Sequence, residues 1–357
     1  MSVQILDVDD VYVLDLVAKF VSRDPGSPRH DYADLYGSDD MRGAVCESWR
    51  FPIIDAIYQS DLPSNGIAHN RVTFVWPDAA GSDSDISIIG TFADLHNPIS
   101  LKRVNWNSEP TSYRAVSVAV PKGQVHRYLF LKSGRPALDP INPQRMTLED
   151  ATTWSRFFTE LSTQTVELSN REQTLLERLT DHILPFRTAD GQRFLQYFYN
   201  YADQASKEVQ FARAWRLDEP VGAVNFIDKM LARYENHHRI DYTLCLAQID
   251  SIITSRNPGM DLESVSKEEF VKLYSEMATE KVDGWDYSAY QSPDYFLKIL
   301  RRHTYSGAFS HPRHGGNVGG IGWAYLEESY RDQSNQSCFN WRAAIEQPLG
   351  LSPDYRS

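Results

Sequence analysis

The sequence predicts a multidomain α+β protein with an N-terminal helical arm, a small β-sandwich and a C-terminal all-α bundle. Three observations support this prediction. The chain has 357 residues, more than one typical domain needs. Apolar residues alternate with a period of two between about residues 70 and 158, and the period becomes helical from residue 167 onward. We therefore expect an arm and linker over residues 1–65, a sandwich over 66–160 and a helical domain over 165–357.

Composition and charge exclude several classes of protein. Hydrophobic residues make up 41% of the chain and charged residues 24%, which is typical of a soluble globular protein. The formal net charge of -12 disfavours nucleic acid as a partner, because phosphate binding requires a concentrated basic face. No apolar run approaches the roughly 18 residues that would span a bilayer.

The N-terminus carries no export signal in the sequence as given. Four aspartates and no early lysine or arginine fall in the first stretch, the wrong charge for a secretory signal, and no twin-arginine is present. This pattern predicts a cytoplasmic protein. A periplasmic location would require a signal that has been removed or one that a partner supplies.

Cysteine spacing indicates neither a metal cluster nor a haem attachment. Cys46, Cys245 and Cys338 lie far apart, so no C-x-x-C motif can form. Three reduced thiols are the favoured interpretation, and the sequence leaves open whether any two of them form a disulfide.

The arm begins with an amphipathic helix. Its apolar stripe consists of Val13, Leu16, Val17 and Phe20. Residues 22–40 are rich in Pro, Gly, Ser and Asp and predict a linker or surface loop. Residues 46–58 carry large apolar side chains that can dock, but their secondary structure is ambiguous.

Four runs of short alternating segments predict the sandwich, because they are separated by Gly, Ser, Asp and Pro turns. The apolar residues of these runs are Val72, Phe74 and Trp76; Ile86, Ile88 and Ile89; Tyr113, Val116, Val118 and Val120; and Val125, Tyr128, Phe130 and Leu131.

Helical stripes and capping signals predict the C-terminal bundle. Ser169 with Glu172 forms a capping box, Ser266 caps a second helix, and Ser292 followed by Pro293 begins a third, which Gly307 is expected to end. The residues of the predicted helical stripes are Leu175, Leu176, Leu179 and Ile183; Val224, Ile227, Leu231 and Tyr234; Tyr242, Cys245, Ile249, Ile252 and Ile253; Phe270, Leu273, Tyr274 and Met277, which are expected to face the core; and Tyr295, Phe296, Ile299, Leu300 and His303.

The order of turns in the β region resembles an early-set immunoglobulin-like domain, the class of glycogen-binding modules and of the N-terminal domains of enterochelin-esterase-type hydrolases. The turns are Gly90-Thr91-Phe92, Pro121-Lys122-Gly123 and Leu138-Asp139-Pro140. Glycogen-binding members bind sugar with two stacking tryptophans and a lysine. The two tryptophan positions fall here on Leu95 and Pro136 and the lysine position on Leu129, so all three are absent. The resemblance therefore implies a scaffold or interface module rather than a carbohydrate-binding module. Trp106 is expected to pack on the sandwich.

A glycine-rich stretch follows the last predicted long helix. Five glycines fall within the eight residues from Gly315 to Gly322, and Trp323 comes directly after them. Neither G-x-G-x-x-G nor G-x-x-x-x-G-K-[ST] can be aligned to this stretch, and a helix precedes it, so a nucleotide-binding loop is excluded. The pattern predicts an unusual backbone turn with a tryptophan anchor.

This stretch resembles the C-terminal signature of the gluconate 2-dehydrogenase small-subunit family (subunit 3). The matching residues are Thr304, Gly307, Phe309, Ser310, His311, Pro312, His314, Gly315, Gly316, Asn317, Gly322 and Trp323. Weaker similarity extends to the run that ends Asp181-His182-Ile183-Leu184-Pro185 and to residues 220–231. The β-sandwich is an addition to the usual small subunit, and the family's common twin-arginine signal is missing.

No residue pattern predicts catalysis. The pairs His237-His238 and His311 with His314 lack the spacing or the partners of a metal site, and the G-x-S-x-G elbow of a serine hydrolase is absent. Paired glutamates are interpreted as solvated helix residues. We expect no catalytic, cofactor-binding or metal-binding residue in this chain.

The family resemblance implies a non-catalytic accessory subunit without a cofactor, which binds and stabilises an FAD-dependent GMC-type sugar or polyol dehydrogenase or oxidase in a hetero-oligomer. It implies a partner interface at His311, Pro312, Arg313, His314, Gly315, Gly316, Asn317, Gly322 and Trp323. Three alternatives stay open: a turn that only closes the bundle, a carbohydrate-recognition protein that uses the early-set domain, and an enzyme in its own right. The partner's substrate, electron acceptor and stoichiometry, and the role of the added sandwich, do not follow from the sequence.

Overall fold

The computed structural model describes residues 3–21, 50–57, 69–78, 84–184, 186, 188–201, 221–337 and 339–344. The chain divides into two compact units, residues 1–162 and 163–357. The first unit contains two antiparallel sheets and the second is helical, so the protein is mixed α+β. Across the described segments, no helix has the length and apolarity to cross a bilayer. The predicted linker at 22–40, together with Cys46 and Cys338, lies outside the described residues.

Short strands dominate the first unit. In chain order its elements are β1 Ile5–Leu6, α1 Asp10–Phe20, β2 Ile53–Ala56, β3 His69–Pro77, β4 Ile86–Gly90, β5 Ile99–Ser100, β6 Lys102–Trp106, β7 Glu109–Pro121, β8 Val125–Lys132, β9 Arg135–Ala137, β10 Arg145–Thr147 and β11 Thr153–Phe158. One sheet has the order β1-β7-β3-β2, with β6 also paired to β7. The other has the order β10-β11-β8-β4-β5, with β9 also paired to β8.

The two sheets share one hydrophobic core. In the register of β3 and β7, Phe74 lies opposite Val116, and because side chains alternate along a strand, both face the second sheet. There the Phe74 ring meets that of Tyr128 edge-on, with centroids 4.9 Å apart. The predicted inward-facing residues Val72, Phe74 and Trp76 are buried as expected. Membership of the early-set class stays a prediction.

The outer face of the first sheet carries the N-terminal segments that the sequence placed in a separate arm. Val75 and Ala115 point away from Phe74 and Val116 because of the same alternation. They form a second cluster with Val13 and Val17 of α1. The predicted stripe of α1 is therefore buried against the sheet at these two positions.

A buried polar network holds the loop that follows β9. The Tyr128 hydroxyl donates to Asp139 Oδ2 at 2.5 Å, and the other oxygen of this carboxylate accepts from the backbone of Ile141 and Asn142. Burial raises the pKa of Asp139 to about 6. The residues that carried the early-set resemblance at this loop therefore have a structural role here.

Helices form the described part of the second unit. They are α2 Asn170–Ile183, α3 Ala189–Tyr201, α4 Ala223–Ala232, α5 Arg239–Arg256, α6 Lys267–Ala278, α7 Pro293–Phe309, α8 Ile321–Ser329 and α9 Trp341–Ala344. The capping box at Ser169 and the caps at Ser266 and Ser292 are confirmed by their backbone hydrogen bonds. Most of the predicted stripe residues are buried in one cluster. Two are exposed: Tyr234, which lies beyond the end of α4, by 43%, and Tyr295, in the first turn of α7, by 40%.

The prediction that Gly307 ends its helix is wrong. Helix α7 continues to Phe309, and Gly307 lies inside it. A Cβ atom at this position would lie 3.0 Å from Cβ of Phe226 and 3.1 Å from Cα of Ala223, both on α4. The glycine therefore allows α7 to pack closely against α4, which compensates for its low helix propensity.

A buried aspartate ties the start of the unit to α4. Asp228 accepts hydrogen bonds from the backbone nitrogens of Val166, Glu167 and Leu168, at distances between 2.8 and 3.2 Å. The ammonium group of Lys229 lies 2.8 Å from Asp228 Oδ2 and balances its charge. The family-like segment at 220–231 thus anchors the incoming chain.

Candidate functional site

The glycine-rich turn connects α7 to α8. It contains two short 3₁₀ turns, Pro312–His314 and Val318–Gly320. Four residues adopt left-handed backbone conformations, with positive φ angles of 99° at Gly315, 46° at Asn317, 62° at Gly319 and 72° at Gly320. Glycine adopts this region without steric cost and asparagine tolerates it, which explains these residue types in the predicted turn.

Two further glycines serve a different purpose, which is close packing. A Cβ atom on Gly316 would lie 2.1 Å from the carbonyl oxygen of Gly307, and one on Gly322 would lie 1.8 Å from that of Ala308. Real Cβ atoms cannot approach a backbone oxygen this closely. The turn therefore packs directly on the backbone at the C-terminal end of α7.

Side chains of the turn satisfy backbone groups that the end of α7 leaves unpaired. Asn317 is fully buried, donates from Nδ2 to Ser310 O at 2.8 Å and accepts at Oδ1 from Gly322 N at 2.8 Å. Trp323 donates from Nε1 to Phe309 O at 2.6 Å. The last carbonyls of a helix have no partner within the helix, so these contacts act as a C-terminal cap.

Most of the predicted interface residues are buried within the unit. Pro312, Gly315, Gly316, Asn317, Gly322 and Trp323 belong to this group. His311, Arg313 and His314 are half-buried and form the accessible edge of the turn. The imidazole of His311 accepts from Arg313 N at 3.1 Å, and its ring centroid lies 5.8 Å from that of Trp323. A partner contact at this edge stays a prediction.

A second polar cluster, which we call the histidine cluster, consists of Glu235, His238 and His303. Its three ligand-type atoms lie within 4.8 Å of one another. Glu235 Oε2 is 3.9 Å from His238 Nε2 and 3.8 Å from His303 Nε2. The guanidinium of Arg302 lies beside both, 3.1 Å from Glu235 Oε2 and 3.1 Å from His303 Nε2.

Burial and charge shift the protonation of this cluster. Burial lowers the pKa of His303, although the neighbouring Glu235 acts in the opposite direction. Burial by itself would raise the pKa of Glu235, but its polar contacts with His303 and Arg302, including the positive charge of Arg302, outweigh this effect and lower the pKa to about 2. At neutral pH the cluster therefore combines an ionised carboxylate with a neutral His303.

The sequence did not reveal the histidine cluster. Metal-ligand spacing patterns connect residues that are near each other in the chain, whereas His303 on α7 is far in sequence from Glu235 and His238. His303 was predicted only as one position of a helical stripe, and it is buried. No spacing rule connects it to the Glu235-to-His238 segment, because packing of α7 beside that segment brings them together.

Comparison with known proteins supports the resemblance of the helical unit. Residues 170–327 match the model of the family described as gluconate 2-dehydrogenase subunit 3. This range extends from α2 into α8 and contains both the turn and the histidine cluster. It covers less than half of the chain, and no curated protein sequence matches.

One solved structure with a local likeness is the enterochelin esterase from Shigella flexneri. The two chains are 16% identical with a TM-score of 0.24, and the likeness covers 27% of this chain and 32% of the esterase. This chain thus spans about a third of the esterase's length. The agreement is too small to assign a class to the β unit.

Proposed function

We propose that this protein is a non-catalytic accessory subunit of a dehydrogenase complex, which binds and stabilises a GMC-type flavoprotein that oxidises a sugar or polyol. The observation that carries the proposal is the family match over residues 170–327. The FAD belongs to the partner in this proposal, and no catalytic or cofactor-binding residue is assigned to this chain. The turn would provide the contact.

The architecture of the turn suits this role. Its backbone is held by the buried contacts of Asn317 and Trp323, so the accessible edge can bind with little loss of conformational entropy. That edge presents Arg313 between His311 and His314. Arginine is enriched at energetically important interface positions because its guanidinium combines a flat apolar surface with several donors.

Co-expression with a GMC-type flavoprotein as the candidate partner tests the proposal. We expect the flavoprotein to be recovered in complex, with more bound FAD and higher dye-coupled dehydrogenase activity than when it is expressed without this chain. Arg313→Ala should weaken the complex at least about tenfold, as loss of an interface arginine often does. Equal folding, FAD content and turnover of the flavoprotein without this chain would refute the proposal.

Arg331→Ala provides a matched control. Arg331 is an exposed arginine of the same unit, and its guanidinium pairs with Glu328 of α8. We expect this variant to bind the flavoprotein like the wild type. Equal weakening by both variants would indicate a nonspecific charge effect and would count against the turn as the contact.

A second candidate function is carbohydrate recognition by the β unit. The expectation that Trp106 packs on the sandwich is wrong, because this residue is 53% exposed at the end of β6. An exposed indole can stack on a sugar ring. Titration with glycogen should then show saturable binding that Trp106→Ala abolishes and that Val11→Ala, at an exposed apolar position on α1, leaves intact. No binding by the wild type would eliminate this alternative.

A further inference from the structure

The histidine cluster has the donor set of a transition-metal site. Two imidazoles and one carboxylate converge from separate elements: Glu235 precedes the 3₁₀ turn that leads into α5, His238 is the last residue of that turn, and His303 lies on α7. The two histidine side chains are only 3% exposed, whereas the Glu235 side chain is 30% exposed. The group therefore combines fixed ligands on the inside with an opening to solvent on one side.

Hydrogen bonds fix both imidazoles with Nε2 toward the common point. Asp241 lies 2.7 Å from His238 Nδ1, and its carboxylate can only accept, so Nδ1 carries the proton. Arg302 can only donate, so His303 Nε2 accepts from it and the proton lies on Nδ1, 3.0 Å from the Tyr242 hydroxyl. Each imidazole thus has its unprotonated nitrogen nearest Glu235, and in the metal-free structure that of His303 accepts from Arg302.

The partners behind the histidines match the outer contacts of known metal sites. Metal-binding histidines generally donate their second ring N–H to a carboxylate, a carbonyl or a water, which fixes the tautomer and raises the basicity of the ligand. Asp241 plays this part for His238 and is itself held by the Tyr290 hydroxyl at 2.9 Å. Tyr242 plays a similar part for His303.

The convergence of these groups requires a positive charge. An ionised carboxylate and two nitrogen lone pairs that face the same point repel one another in the absence of a cation. Arg302 supplies that charge in the structure, but its side chain is 53% exposed and it contacts the cluster from the solvent side. Moving the guanidinium outward would free this point for a metal ion.

We propose that Glu235, His238 and His303 form a binding site for a divalent transition-metal ion, with Zn²⁺ as the best fit, and that Arg302 occupies the cation position when no metal is bound. Zinc in this class of site has three protein ligands and an open fourth position. Tetrahedral Zn²⁺ with bonds of about 2.0–2.1 Å places its donors roughly 3.4 Å apart. The two distances from Glu235, 3.8 and 3.9 Å, therefore need contraction of about half an ångström, and the three atoms together, which lie within 4.8 Å of one another, need at most roughly 1.4 Å.

Zn²⁺ titration of the untagged full chain, stripped with a chelator, tests this proposal. Calorimetry and metal content after gel filtration should give one Zn²⁺ per chain. His238→Gln, His303→Gln and Glu235→Gln should each lower the affinity at least about 100-fold, and Asp241→Asn about 10- to 100-fold. His182→Gln, which changes a histidine of α2 outside the cluster, should bind like the wild type. Circular dichroism and gel filtration monitor folding.

Arg302→Ala keeps the test decisive if the buried variants fail to fold. Its half-exposed side chain competes with the metal in this proposal, so its removal should raise Zn²⁺ affinity about tenfold. Co²⁺ in place of Zn²⁺ should give the visible absorption of a tetrahedral complex. Wild-type protein that binds no stoichiometric Zn²⁺, or binding that survives in folded His238→Gln and His303→Gln, would overturn the proposal and leave an ion-pair cluster centred on Glu235.

Discussion

The glycine-rich turn and the histidine cluster both contact α7, but different kinds of interaction hold them together. The turn contacts the C-terminal end of α7 through backbone atoms and neutral side chains, with Asn317 fully buried. The cluster contacts the helix at His303 through charged and titratable side chains and opens to solvent at Glu235. The turn has no room to rearrange, whereas the cluster can exchange one cation for another.

Within one unit, the stability of the turn therefore depends on steric fit, and that of the cluster on electrostatic interactions. Steric exclusion is short-ranged and independent of pH, so substitutions in the turn should change stability alike under all conditions. Electrostatic contacts of half-exposed groups are weak in free energy but depend on pH and on bound ions. The variants below test this contrast.

The largest effect is expected for Gly322→Ala. Helix propensity by itself predicts a gain of about 1 kcal/mol for this change inside α8. A Cβ atom 1.8 Å from the Ala308 carbonyl oxygen instead forces the backbone apart, and we expect a loss of at least about 3 kcal/mol in the free energy of unfolding. Urea denaturation at pH 6 and pH 8 should give the same loss.

Gly259→Ala is the matched control for this effect. Gly259 has a φ of +76° but no atom near the position of a Cβ, so only backbone strain of about 1 kcal/mol is expected. A neutral or stabilising Gly322→Ala would show that the turn does not pack on α7 as described.

An intermediate effect is expected at Asn317. Asn317→Ala removes the bonds to Ser310 O and Gly322 N and leaves both groups buried without these contacts, which should cost about 2 kcal/mol. Asn317→Gly loses the same bonds but relieves the positive φ of 46°, so it should be less damaging by about 1 kcal/mol. Thermal denaturation of both variants measures the two contributions, and equal stability of wild type and Asn317→Ala would contradict the capping role.

The smallest effect, and the one that depends on pH, is expected at Glu235. Its pKa is lowered to about 2 in the folded protein, so its contribution to stability is present above pH 4.5 and is lost as pH falls toward 2. Because 30% of this side chain is exposed, we expect only about 1 kcal/mol. The difference in unfolding free energy between wild type and Glu235→Gln, with a chelator present, should shrink from pH 6 to pH 3. A constant difference would argue against the charge network.

Local patterns predicted local structure well and failed where distant segments meet. The caps at Ser169, Ser266 and Ser292 are confirmed because a cap depends on residues three positions away. Gly307 was assigned to a helix end because glycine is common there, whereas its role is to allow α4 to pack closely against α7. Trp106 was expected to be buried because tryptophan is apolar, but its position near the tip of a β-hairpin exposes it.

The sequence by itself determined the order of the β and helical regions, the buried faces of the helices and the presence of an unusual turn after α7. These properties follow from periodicity and from the backbone preferences of glycine, proline and capping residues, which act over a few positions. Only the tertiary structure decided that Gly316 and Gly322 are required for close approach to α7, and that Glu235, His238 and His303 converge. The reason is physical, since contacts between helices depend on packing that no short sequence pattern encodes.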